Sequence, residues 1–170
     1  MGRSVLGFES GSVLRSGSYS VGGFKYFLIL KKYLGMSTIK FHQDLKVYQQ
    51  SFETAQVIYE LSKSFPKEEL YSLTDQIRRS SRSVTANISE AWGKRKYEKS
   101  FFAKLTDSEG EARETQTWLQ FAFTCDYMNE EQYENLHKQY NQIIGMLVNM
   151  MSQSEKWCSF SPIRKEENNL

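Results

Sequence analysis

An all-α, antiparallel up-and-down four-helix bundle is the fold this sequence predicts, on three observations. Apolar residues recur at steps of three and four over four long stretches, the spacing that lines one face of an α-helix. The links between those stretches are short, which favours antiparallel neighbours. Proline is nearly absent, at 2 of 170 residues, while aromatics reach 14 %, a composition that suits a helical globular protein better than a disordered one.

The length suits one domain with a sound core. Cys125 and Cys158 are the 2 cysteines, and their separation matches neither a disulfide framework nor a metal-ligand pair. A reducing cytoplasm is the expected compartment. No run approaches the roughly 20 apolar residues of a membrane span. The net charge of +2 is unevenly placed: Arg3, Arg15, Lys25, Lys31 and Lys32 face only Glu9 in residues 1–35, which leaves the rest slightly acidic. Overall charge therefore does not argue for nucleic acid.

Taken in order, residues 1–35 are Ser/Gly-rich without periodicity and then form a short apolar patch broken by lysines. They read as a disordered or artefactual N-terminal extension. The bundle is expected over 36–158, with a flexible tail over 159–170. The first helix is expected from Phe41 to Ser64. Its stripe is Leu45, Tyr48, Phe52, Ala55, Tyr59 and Ser62, widened by Ile58, Leu61 and Phe65.

The second helix organises the rest and is expected from Phe65 to Gly93. Pro66 suits a helix start, Glu68 and Glu69 favour the positive end of its dipole, and Gly93 offers a stop. Its stripe is Leu70, Leu73, Ile77, Ser80, Val84, Asn87 and Ala91. Ser80 and Asn87 are unusual on such a face and suggest close helix approach with a specified register. A basic link, Gly93 to Lys96, leads to a third helix expected from Tyr97 to Tyr127. There Phe101, Leu105, Ser108, Ala112, Thr115, Leu119 and Ala122 form a narrow stripe of mostly small residues. Trp118, Phe121 and Phe123 flank it and are expected to face another helix or another subunit. Asn129 should cap the fourth helix, whose stripe is Tyr133, Leu136, Tyr140, Ile143, Leu147, Met150 (or Met151) and Trp157.

The second helix also carries a recognisable motif: Gln76-Ile77-Arg78-Arg79, then Ser83-Val84, then Asn87-Ile88-x-Glu90. In combination these residues resemble the signature of a bacterial four-helix bundle family. That family includes the protein encoded within the intervening sequence of 23S ribosomal RNA genes, and is similar to the accessory variability protein of diversity-generating retroelements. The likeness covers roughly Ile39 to Trp157, and Met36 resembles the family's own start. The family more usually has Asn-Ile-Ala-Glu-Gly where this chain has Asn87-Ile88-Ser89-Glu90-Ala91. In the third helix Ser108 and Glu111 fit its pattern, while Asp107 replaces a glycine. The resemblance implies a homopentameric ring that binds nucleic acid, RNA in particular, through a basic rim or lumen. An alternative it implies is a protein-interaction adaptor for a partner enzyme such as a reverse transcriptase.

Three constellations invite chemistry. Arg79, Ser83, Asn87 and Glu90 lie within about a quarter-turn of one another on a 3.6-residue helix. They form either a ligand surface or, more plainly, a polar seam joined by Ser108, Glu111 and Glu114 of the third helix. The second is a division of charge: eight basic residues between Arg78 and Lys104 precede eight acidic ones between Asp107 and Glu134. This suits complementary helix faces, an interface between copies, or RNA backbone contact through Arg82, Lys94, Arg95, Lys96, Lys99 and Lys104. Trp92, Tyr97 and Phe101 lie among these basics, as stacking groups or as packing aromatics. The third, Glu134-x-x-His137, is half of a di-iron pattern, but the second half is missing, since His42 follows Ile39 at that spacing. No metal and no cofactor are therefore expected. Phosphate-binding, dinucleotide and zinc-protease motifs are absent, as is the Arg-x4-His pattern of helical ribonucleases. A non-enzymatic protein is the expectation.

Overall fold

The computed structural model describes residues 39–158, which belong to one compact unit beginning at Ile39. The expected extension (1–35) and tail (159–170) lie outside the described residues. Four main helices carry the fold: α1 (Lys46–Leu61), α2 (Leu73–Gly93), α3 (Glu98–Thr124) and α4 (Glu130–Ser152), followed by a single turn, α5 (Ser154–Trp157). Short 3-10 turns at His42–Asp44, Ser62–Ser64 and Lys67–Glu69 flank α1 and lead into α2. None of the described helices is long and apolar enough to cross a membrane.

The helices meet in chain order, and α4 returns to α1. Between α1 and α2, Thr85 donates to Ser51 at 3.1 Å and Arg78 Nε donates to Ser62 Oγ at 2.7 Å. Between α2 and α3, the partners of Ser80, Val84 and Asn87 are Thr115, Ser108 and Lys104. Between α3 and α4, Gln116 meets Asn141 at 2.9 Å and the Phe123 and Tyr133 rings stack at 4.7 Å. Between α4 and α1, Gln50 reaches Gln142 and Thr54 reaches Gln139, at 2.8 and 2.7 Å. In each pairing one partner's number rises as the other's falls.

The α3 stripe is the buried face residue for residue: Phe101, Leu105, Ser108, Ala112, Thr115, Leu119 and Ala122 all have 0 % exposure. It meets Ile77, Val84, Ile88 and Ala91 of α2 and Leu136, Tyr140, Ile143 and Leu147 of α4 in one core. Each large apolar side chain so buried contributes about 1.5–3 kcal/mol. Asn129 caps α4 as expected, in a box where its side chain accepts from Gln132 N at 2.8 Å and Gln132 Oε1 accepts from Asn129 N at 3.0 Å. At the end of α3 the chain turns through Asp126, whose φ of 60° an aspartate tolerates better than most side chains. Phe123 stacks on Tyr133 of α4, whereas Phe121 stays half exposed and meets Trp118 of its own helix at 5.8 Å.

Three expectations need correction. The second helix begins at Leu73, not near Pro66: Pro66 precedes a 3-10 turn, and Ser72 (φ −118°, ψ −104°) breaks the path. Glu69 secures that break, since its carboxylate accepts from the Ser72 hydroxyl and from Leu73 N at 3.3 Å. The Ser72 hydroxyl above all, then the Leu73 amide, hold the Glu69 carboxyl below its ordinary range. Leu70 consequently falls outside the helix and is 44 % exposed. Along α1 and the residues that flank it the buried line is Leu45, Val47, Ser51, Thr54, Ala55, Ile58 and Ser62, while Tyr48, Phe52 and Tyr59 lie half-buried beside it. Ser51 and Thr54 tolerate burial because each hydroxyl donates to a carbonyl of the preceding turn, Tyr48 O at 2.9 Å and Gln50 O at 2.8 Å. Finally, Trp157 lies beyond the end of α4, in α5, where its ring meets Trp92 edge-on at 6.4 Å.

Candidate nucleic-acid interface

The α2–α3 contact has an inner and an outer polar line. The inner line is fully buried. Thr115 shares its hydroxyl between Ser80 Oγ (2.9 Å) and the Glu111 carbonyl (2.8 Å), and Ser108 donates to the Val84 carbonyl at 2.9 Å. Small side chains here let the backbones approach, and the hydroxyls then satisfy each other inside a dry core. Tyr140 brings a third hydroxyl toward Thr115 from α4 but meets no partner in hydrogen-bonding geometry, and burial pushes its phenol far above the ordinary range.

The outer line holds most of the residues singled out in the sequence, and it is a rim, not a buried seam. Arg79 is exposed, bonding Gln76 at 3.0 Å and reaching Glu114 at only 3.5 Å. Glu114 also accepts from Trp118 Nε1 at 3.1 Å. Asn87 is half-buried and accepts from Lys104 Nζ at 3.5 Å. Lys104 further bridges Glu90 at 3.2 Å and Asp107 at 3.1 Å, and those carboxylates, Asp107 first, hold its ammonium above the ordinary range. Ser83 lies half-buried at the edge of a neighbouring groove lined by Arg78, Arg79 and Arg82. Arg79 and Glu90 reach outward because α2 turns them away from Ile77, Val84 and Ile88, while Ser83 and Asn87 stand on the flank between and are half-buried.

Glu111 is the outlier of this edge. Its Oε2 is buried without a hydrogen-bond partner, in a shallow groove shared with Asn87, Lys104, Asp107 and Glu114. Desolvation first, then the Glu114 charge, raises its carboxyl above the usual value. The folded state therefore binds this proton more tightly than the unfolded chain, so the group costs stability above its raised value and the cost disappears as pH falls toward the ordinary carboxylate range. Glu111→Gln is expected to stabilise the protein at neutral pH. Thermal melts of both proteins across that range should converge in acid, and a variant less stable than the parent at neutral pH would show that Glu111 has a favourable partner instead.

The six residues expected to contact nucleic acid do not form one surface. Arg82 sits about 18 Å along α2 from Lys94, at 1.5 Å per residue. Its guanidinium lies 5.2 Å from the Tyr59 ring, which Arg78 at 5.1 Å and Lys63 at 4.8 Å also approach. Lys104 is taken up by carboxylates, as above. Lys94, Arg95, Lys96 and Lys99 do gather, at the corner where α2 ends and α3 begins. Lys94 reaches Glu90 at 3.8 Å, and Arg95 lies 3.2 Å over the Trp92 ring. Lys96 and Lys99 are exposed and form no ion pair with a described residue.

His137 faces Asn141 at 3.3 Å and the Tyr133 ring, and among the described residues no three His, Cys, Asp or Glu side chains converge. What the sequence reading missed is the hydroxyl pair Ser51–Thr85 and the Tyr59–arginine stack. Both depend on the α1–α2 register, which spacing within one helix does not reveal.

Fold and site together define a small helical-bundle protein with its charges arrayed on the rim and one open basic corner. The chain belongs to the 23S rRNA-intervening sequence protein family, whose model matches residues 43–149. The crystal structure of a protein with unknown function from the S23 ribosomal protein family, from Bacteroides thetaiotaomicron, is similar at 31 % identity and a TM-score of 0.57. The match covers 62 % of this chain and 97 % of that one. No curated protein matches the sequence significantly.

Proposed function

We propose that the chain is a non-enzymatic cytoplasmic protein, an antiparallel up-and-down four-helix bundle that assembles into a homopentameric ring and binds RNA by its phosphates. The opposed numbering of the helix pairings supports the up-and-down reading. Phe102, Phe121 and Val148, all about half exposed, supply apolar surface for contact between copies. Light scattering should give a mass several times that of the 19.9 kDa chain, and a clean monomer at micromolar concentration would remove the ring.

The observation that carries RNA binding is the corner itself. Lys96 and Lys99 project there without carboxylate partners, beside Lys94 and Arg95. Lysines held free in this way release counterions when they meet phosphates, so affinity falls steeply with salt. Lys96→Glu with Lys99→Glu is expected to weaken binding for all sequences alike and to flatten the salt slope by about 2. Arg95 is the poorer position to reverse, because its guanidinium also packs on Trp92. Fluorescence anisotropy with labelled RNA checks this, and no wild-type binding at about 50 mM salt would remove the reading.

A further inference from the structure

The three aromatics among the corner's basic residues are not equivalent. Phe101 has 0 % exposure and is core. Trp92 has Arg95 over its ring and the edge of Trp157 against it, so it is already occupied. Tyr97 is 70 % exposed and touches no other ring or cation among the described residues. Its backbone is nonetheless well held as the N-cap of α3. Its N–H donates to Lys94 O at 2.9 Å, and its carbonyl accepts from Ser100 N and Phe101 N at 2.9 Å each. The ring is thus an open platform on a rigid base, with Lys96 immediately before it and Lys99 two residues after.

We infer that this corner recognises unpaired, single-stranded RNA, with a base stacked on the Tyr97 ring and the flanking phosphates on Lys96 and Lys99. The inference rests on the RNA-binding reading above and narrows it to one nucleic-acid class. A duplex buries its base faces in the helix stack and offers such a platform nothing, whereas an unpaired base presents a whole face. Stacking on one aromatic ring is sequence-tolerant, because every base has such a face. Anchoring the tyrosine at a helix cap means little backbone ordering remains to be done on binding.

The test compares a labelled single-stranded RNA oligonucleotide with the same strand annealed to its complement, by anisotropy at fixed low salt. The wild-type chain should prefer the single strand. Tyr97→Ala should weaken single-strand binding about tenfold while leaving duplex binding and the salt slope unchanged. Tyr97→Phe, which keeps the ring, should bind as the wild type does. Tyr97 is exposed, so equal melting temperatures for all three proteins are expected and would tie any loss to the ring. Equal affinity for single strand and duplex would overturn the inference, as would a Tyr97→Ala variant that binds normally or a Tyr97→Phe variant that binds as poorly as alanine. Those results would leave phosphate binding by the lysines standing. Absence of any wild-type RNA binding would remove both readings together.

Discussion

Replacing Phe101 with alanine is expected to lower the free energy of unfolding by about 3–5 kcal/mol. The ring has 0 % exposure in the first turn of α3, in the same cluster as Ala91 and Leu147. Removing it costs the transfer free energy of a large apolar group and leaves a cavity that long helices close poorly. Total stability for a domain of this kind is about 5–15 kcal/mol, so the loss is a large part of it. Urea unfolding followed by circular dichroism gives the number. A loss below about 1 kcal/mol would mean that the corner is far looser than the burial implies.

Ser108→Leu is expected to be the next most damaging change, at about 2–4 kcal/mol. Ser108 is buried where α3 lies against α2, and its hydroxyl donates to the Val84 carbonyl at 2.9 Å. Leucine both removes that bond and forces the helices apart. Ser108→Ala, which keeps the small size, should cost only about 1 kcal/mol. The pair of measurements separates the two effects. If leucine costs no more than alanine, close approach is not what this serine provides.

How legible the molecule was in its sequence varied from helix to helix, for physical reasons. The α3 stripe could be read without error because its apolar and small residues keep steps of three and four without a break from Phe101 to Ala122, even with Trp118, Phe121 and Phe123 flanking it. The α1 stripe was misplaced because Tyr48, Phe52 and Tyr59 outweigh Ser51 and Thr54 in any count of apolar character. A hydroxyl that returns its hydrogen bond to the preceding turn buries at little cost, and that compensation leaves no mark on periodicity. The start of α2 was misread because Pro66 is a good opening residue for a helix. The later start depends on Glu69 capping from three residues before Ser72.

The rim was legible in composition but not in pairing. Lys104 counts as one more basic residue until the α2–α3 register places it between Glu90 and Asp107. Asn87 and Glu90 stand at the edge of the contact, and the groups buried within it are the hydroxyls of Ser80, Ser108 and Thr115. The open corner, by contrast, was legible as the basic link from Gly93 to Lys96, because its residues are neighbours in sequence.

The register of α2 on α3 is the claim on which both the fold and the pairing of the rim stand, and a double-mutant cycle on Ser80 and Thr115 tests it most directly. Stabilities of Ser80→Ala, Thr115→Val and the double variant should give a coupling energy of about 1 kcal/mol, reflecting a buried hydroxyl pair 2.9 Å apart. Strict additivity of the two single losses would contradict it, because the two hydroxyls would then be buried side by side without holding the helices to each other.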